Sequence, residues 1–504
     1  MKKLAIIDLG SNSARLVLLN LHEGGFFSVF DEMKEPVRIG QDMERDGFLK
    51  PQRIQHTIRT LKMFKRLCDS YEVTDIIAVA TAAVRRAKNQ KSFLEEVYSS
   101  TGMLFKVLSP EEEATLVYHG VINSMDIPKG LIFEIGGGST KLVYYNRRNI
   151  LAHETLPFGS VTLTEMFAFE NLTPKEQTQK VEEYFTEQLT KIEWLKDIDP
   201  DTQVIGVGGS FRNLAKISQK VKRYPLDMVH NYRLPKHDFV ALYDMLRTLD
   251  LDKKMNIKGI GTGRADILPS AFAAMKSLSD YVGAEEFVIS SSGLREGIMF
   301  TTAVPQTLEK PITDVLGHSL MTICQVYGMD IPHVEHVINL SLQLFKQLRV
   351  LHKFPRALIK VLRVAAALHD SGQVIKHYDH QTHSSYAILN SNLYGITHKD
   401  LVMAAFVAGC HVRENISAQV WARYKDIVGE EDLDAVKKLG VILRLAESLD
   451  RSHSGVVKSI NCDVLGDSVI MKTEIEGDGA LEIKDAMNAL PEFKRSFKKN
   501  LEIL

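Results

Sequence analysis

Cysteine is scarce in this 504-residue chain: Cys68, Cys324, Cys410 and Cys462 are scattered, with no CxxC spacing. That excludes a disulfide-stapled fold and a thiolate zinc ribbon, and predicts free thiols in a reducing compartment. Long apolar runs are missing as well. Arg363 interrupts the Val361–Leu368 stretch, far short of the roughly 18 residues of a membrane span. Only Leu4–Ile7 separate Met1-Lys2-Lys3 from Asp8, too short a run for a signal peptide, so the expected location is cytoplasmic, with no membrane partner. Net charge is nearly absent too, at −1. Such a chain binds a polyanion only by gathering its lysines and arginines locally, and no nucleic-acid partner is expected. Hydrophobic residues at 45% and charged ones at 25% are ordinary for globular protein. The length suits about three to four domains.

Glycine turns are what stand out. Asp8-Leu9-Gly10-Ser11-Asn12-Ser13 is answered by Glu134-Ile135-Gly136-Gly137-Gly138-Ser139-Thr140. Each follows an apolar strand pattern and opens a second one, with an acid beside it. Glycine lets main-chain N–H groups approach an anion, so the pair reads as two half-sites facing one phosphate chain. A third turn, Gly206-Val207-Gly208-Gly209-Ser210, stands between a strand and a helix start, where an anion meets the helix N-terminus. Arg85, at the end of the strand Asp75–Ala80, is a candidate fork onto phosphate oxygens, whereas Arg86 suits a surface helix start. In Ser109-Pro110-Glu111-Glu112-Glu113-Ala114, the helix dipole accounts for Glu111 and Glu112. Glu113 adjoins the apolar face of Ala114 and Val117, which turns it toward the cleft as a candidate general base.

The order of elements over 1–125 is three strands, then alternating helices and strands. It restarts at Gly130, with a helix over Thr173–Leu195 and a strand over Gln203–Val207. Two related α/β domains, 1–125 and 126–305, flanking a ligand cleft are expected. Residues 306–452 are helix-patterned, as in Val337, Leu340, Leu344 and Leu348, and 453–504 read as a small α/β segment ending in a basic helix Pro491–Asn500.

Six motifs in this order, Asp8–Ser13, Ala80–Arg85, Ser109–Ala114, Ile135–Thr140, Arg264–Pro269 and Gly293–Gly297, resemble the exopolyphosphatase/guanosine-pentaphosphatase (Ppx/GppA) family. The resemblance implies two actin-like, ribonuclease H-like domains. It implies an exopolyphosphatase that releases orthophosphate from inorganic polyphosphate, or a guanosine pentaphosphate (pppGpp) 5′-phosphohydrolase, and a homodimer. Glu113 would activate water, Arg85 would hold the chain end, and Mg²⁺ (or Mn²⁺) at Asp8 and Glu134 would join the main-chain donors in stabilising phosphoryl charge.

The chain departs from the family pattern at two places. Glu134 stands where aspartate is usual, and Lys141 where glutamate follows the threonine. Lys141 reverses the sign at a position the family associates with metal, so the ion is held differently, or Lys141 itself offsets phosphate charge. Ten of the 17 histidines fall between His318 and His411. The order His336, His369-Asp370, His383, His411, Asp450 resembles the metal-dependent HD phosphohydrolases, which implies a possible second divalent ion and the alternative of a nucleotide-binding regulatory module with an active HD domain. Basic runs at Arg349–Arg363 and Lys494–Lys499 read as solvated faces that a long anion would also meet.

Overall fold

The first strand, β1 (Lys2–Leu9), is apolar on both faces: Ala5, Ile7 and Leu9 enter one core while Leu4 and Ile6 enter another. Such a strand belongs in the middle of a sheet covered on both sides. The computed structural model describes residues 2–168, 172–261, 263–412 and 416–504. The chain divides into two compact units, one ending at Val315 and the other Leu316–Leu504.

In the first unit β1 pairs antiparallel with β2 (Ala14–Leu21), which pairs antiparallel with β3 (Phe27–Glu35). On its other edge β1 runs parallel to β4 (Ile76–Ala80), and β4 to β5 (Phe105–Val107), giving the order β3-β2-β1-β4-β5. The second sheet repeats this plan with β6 (Lys129–Ile135), β7 (Thr140–Asn146), β8 (Asn149–Leu156), β9 (Gln203–Val207), β10 (Tyr232–Pro235) and β11 (Glu286–Ser290), in the order β10-β11-β9-β6-β7-β8. An antiparallel hairpin leading into parallel strands, made twice, is the actin-like arrangement the resemblance implies.

Helices Pro110–Ile122 and Leu294–Ala303 share a core with residues of both sheets, among them Ile6, Val79, Ile132 and Val207. They cross in backbone contact. A Cβ on Gly297 would lie 1.8 Å from the Leu116 carbonyl oxygen, and one on Gly120 2.1 Å from that of Gly293. This close crossing fixes the helix that carries Glu113.

The first compact unit runs to Val315, ten residues past the boundary expected at 305. Ile312 is tied back to the first unit, its N–H donating to Asn123 Oδ1 (2.8 Å) and its carbonyl accepting from Arg148 (2.7 Å). The expected domains 1–125 and 126–305 lie within the first unit, and the expected segment 453–504 lies within the second. The small sheet of β12 (Val457–Leu465), β13 (Ser468–Ile475) and β14 (Asn500–Ile503) joins the helices, with Gln343 Oε1 accepting from the Ile460 N–H at 2.9 Å. The basic C-terminal helix is shorter than its pattern suggests, Leu490–Phe497. Lys498 takes φ 57°, and the Asn500 N–H bonds the Asp467 carbonyl (2.9 Å) to start β14. The helix expected over Thr173–Leu195 ends at Thr190, followed by a 3₁₀ turn Glu193–Asp197. Among the described residues no helix is long and apolar enough to cross a membrane.

Candidate active site

The two glycine turns are built alike. The Gly10 N–H bonds the Ser13 carbonyl (3.1 Å), and the Gly136 N–H bonds the Ser139 carbonyl (2.9 Å). In each hairpin an acid faces a cation across the ladder, Asp8 opposite Arg15 and Glu134 opposite Lys141. Turn carbonyls are drawn away into backbone bonds: Gly40 and Arg38 N–H groups take those of Ser11 and Asn12, while Ser160 and Val161 N–H groups take those of Gly136 and Gly137. The turns also touch each other, since a Cβ on Gly138 would lie 2.8 Å from Ser11 Oγ. Between them lies a cavity of about 110 Å³ lined by Asp8, Gly10–Ser13, Glu113, Glu134, Gly136–Ser139, Lys141, Gly208 and Gly209.

Ser109 caps its helix, its Oγ accepting from the Glu112 N–H (3.0 Å) while Glu112 Oε2 accepts from the Ser109 N–H (2.9 Å). That box places Glu113 one position on, 3% exposed, on the cavity wall. Arg85 Nη1 donates to Glu113 Oε2 (3.0 Å) and to the Leu108 carbonyl (2.7 Å). Lys141 Nζ lies 2.5 Å from Glu113 Oε1 and 2.9 Å from Glu134 Oε2. Burial works against the Lys141 charge, but Glu113 and Glu134 more than offset it and raise its pKa. Each Glu113 oxygen keeps a second lone pair, so the carboxylate retains the capacity to accept from a water.

Most of the sequence-predicted residues meet here. Three are placed differently. Arg85 stands behind Glu113 and is not among the cavity-lining residues, because Glu113 and the Leu108 carbonyl hold its guanidinium. Thr140 Oγ1 donates to the Phe158 carbonyl (2.8 Å), and Ser210 is fully buried, its Oγ without a hydrogen-bond partner, so neither lines the cavity.

Sequence reasoning missed three arginines that also line this cavity. Arg15, Arg212 and Arg264 line this cavity and, with Lys34, Lys216 and Arg295, a neighbouring one of about 530 Å³. Burial and mutual repulsion lower Arg212 to about 9 and Arg264 to about 10; Lys34 falls to about 8 for the same reasons. Cations depressed in this way are relieved by a polyanion. Arg15 was findable, since it stands two residues from Ser13 on one strand face. Gly209 explains Arg264, whose guanidinium fills the space a Cβ there would need, 2.3 Å away.

Asp8 and Glu134 both line the cavity and are carboxylates of the kind a divalent ion takes. Burial pushes Asp8 up to about 6, with Glu113 and Glu134 adding to the rise and Arg15 and Arg295 opposing it. A cation would relieve that cost. Glu134 Oε2 faces the Lys141 ammonium without an aligned hydrogen bond. Mg²⁺ needs only one or two carboxylates when phosphate oxygens complete its shell.

A second cluster lies in the helical unit. His333, His369 and Asp370 form one group and Asp370, His380 and His411 another, each with ligand atoms within 4.8 Å of one another. The Nδ1 atoms are engaged outside the clusters: His369 on the Ala366 carbonyl (2.9 Å), His380 on that of His377 (3.1 Å), His411 on that of Ala408, and His333 on Asp450 Oδ2 (2.8 Å). This tautomer leaves Nε2 as the inward lone pair. The Nε2 atoms of His333 and His369 and Asp370 Oδ1 are buried without hydrogen-bond partners. The expected His336 and His383 stand outside both groups, replaced by His333 and His380 one turn earlier on the same helices. Asp450, also expected among the ligands, lies outside both groups, and its other oxygen accepts from the Gly455 N–H (2.8 Å).

The Ppx/GppA phosphatase family matches residues 19–304, and Ppx/GppA phosphatase, domain III, matches residues 317–483. A bifunctional 3-dehydroquinate synthase/phosphatase from Fusobacterium nucleatum is 28% identical over 303 residues, 57% of this chain; the match covers 45% of that relative's length. Among solved structures, an exopolyphosphatase from Cytophaga hutchinsonii superposes with a TM-score of 0.56 at 24% identity, over 60% of this chain and 98% of that one. The Ppx/GppA family member of Aquifex aeolicus does so with a TM-score of 0.52 at 28% identity, over 60% and 98%. With the duplicated fold and the paired turns, these matches establish that the chain belongs to the Ppx/GppA phosphatase family.

Proposed function

We propose that this chain is an exopolyphosphatase, with pppGpp 5′-phosphohydrolysis as the alternative at the same site. The observation that carries the reading is that Glu113 and both glycine turns line one cavity together with Arg15, Arg212 and Arg264, which continue into the larger cavity. The terminal phosphoryl group enters between the turns, whose N–H groups and the Lys141 ammonium stabilise its oxygens. Glu113 accepts a proton from the attacking water, and the remaining chain lies along Arg15, Arg212 and Arg264. When bound, a divalent ion at Asp8 and Glu134 would neutralise phosphoryl oxygens. A phosphate-release assay comparing long polyphosphate, short polyphosphate, pppGpp and ATP tests this. Long polyphosphate is expected to turn over fastest; release from ATP alone would refute the reading.

The second reading is a metal-dependent phosphohydrolase or sensing function in the helical unit. What favours it is the convergence of Nε2 lone pairs on Asp370. His380 Nε2 lies 3.2 Å from Asp370 Oδ1, a contact that raises the His380 pKa against burial. Elemental analysis of chelator-free protein tests it: bound Mn, Fe or Zn supports the reading, and a metal-free protein that takes up none of them ends it.

A further inference from the structure

Four charged side chains meet on one side of the cavity: Glu113, Glu134, Lys141 and Arg85. Their formal charges cancel with no ion present. Lys141 is 2% exposed and touches both carboxylates, and its stem arises from β7 directly opposite Glu134. The ammonium therefore fills the space between Glu113 and Glu134. An ion joining those two carboxylates would have to expel a buried charge whose partners it takes. The ammonium pairs with both carboxylates, and its N–H groups not aligned on a carboxylate remain for a phosphoryl oxygen in the cavity that Lys141 lines.

Resting on the proposed hydrolytic reading of this cleft, we propose that Lys141 is a built-in cation in the place of a divalent ion between Glu113 and Glu134. Divalent metal in this cleft is then confined to Asp8 and Glu134, without access to Glu113. A lysine also differs from an ion in permanence. It cannot be chelated away, and it holds Glu113 Oε1 in one position while Arg85 holds Oε2. Lys141 is thus both a positioning residue for Glu113 and a contributor to phosphoryl binding.

Counting Mn²⁺ bound to the substrate-free full chain by electron paramagnetic resonance tests the assignment without turnover. Differences from the parent chain cancel ions held by the histidine cluster. Lys141→Glu places a carboxylate where the ammonium stands and is expected to bind one more Mn²⁺ than the parent, a gain lost when Glu134→Gln is added. An equal count in a folded variant overturns the proposal. Should Lys141→Glu fail to fold with or without Mn²⁺, Lys141→Gln decides. Removing one positive charge near a doubly charged ion is expected to tighten Mn²⁺ binding about tenfold or more even at the dielectric constant of water, and unchanged affinity overturns the proposal. Failure of the hydrolytic reading is read separately, as full phosphate release by Glu113→Gln, an outcome that leaves the Mn²⁺ count standing.

Discussion

The guanidinium of Arg85 donates to Glu113 Oε2 at 3.0 Å, across 28 residues of sequence, while the same nitrogen grips the Leu108 carbonyl. The residue expected to hold the phosphate chain end instead holds Glu113, the proposed general base. Arg85→Ala should therefore lower kcat about tenfold to a hundredfold, the worth of one charge-assisted hydrogen bond, and leave KM for polyphosphate nearly unchanged. A large rise in KM with kcat preserved would return Arg85 to the phosphate.

The helix bearing Glu113 is placed by backbone contact with Leu294–Ala303. Gly297→Ala puts a methyl 1.8 Å from the Leu116 carbonyl, too close to accommodate without moving one helix. Overpacking of this kind costs about 1–3 kcal/mol, and more where backbone must shift. A lowered urea midpoint with reduced kcat is expected; an unchanged midpoint would show that the crossing is slack.

Several parts of this arrangement were legible in the sequence because they are local. Glycine turns after apolar strands announce themselves, and the capping box Ser109/Glu112 leaves Glu113 as the odd acid. The Arg212 and Arg264 wall was not legible, since its members converge only through tertiary packing. Lys141 stood out as a departure, but the contact that gives it meaning, with Glu113 on a distant helix, has no local signature. Histidine periodicity does not say which of two successive turns faces inward. His333 and His336 share a helix, and it is Asp450 that captures the first of them.

That choice of turn is testable. On the second reading, His380→Ala should reduce metal bound by the helical unit in elemental analysis, whereas His383→Ala should not. The reverse result would restore the assignment read from sequence order.

His352 supplies a pH signature away from both sites. Its Nε2 donates to the Phe345 carbonyl (2.8 Å) and its Nδ1 accepts from the Phe354 N–H (2.9 Å), an arrangement only the neutral ring satisfies. Burial lowers its pKa below the ordinary value. The unfolded chain therefore takes up the proton first on acidification, so the stabilisation is present above about pH 6.5 and lost as pH falls. The drop in urea midpoint from about pH 7 to about pH 5 should be smaller in His352→Gln than in the parent. An equal drop would show that the ring titrates alike folded and unfolded.

Everything in the hydrolytic account passes through Glu113, and the most direct measurement is the initial rate of phosphate release from long polyphosphate by Glu113→Gln. The amide keeps the shape of the side chain but cannot take a proton from water. The account predicts a fall of about 10²–10⁴ in kcat with polyphosphate binding retained. Turnover equal to that of the parent chain would contradict it.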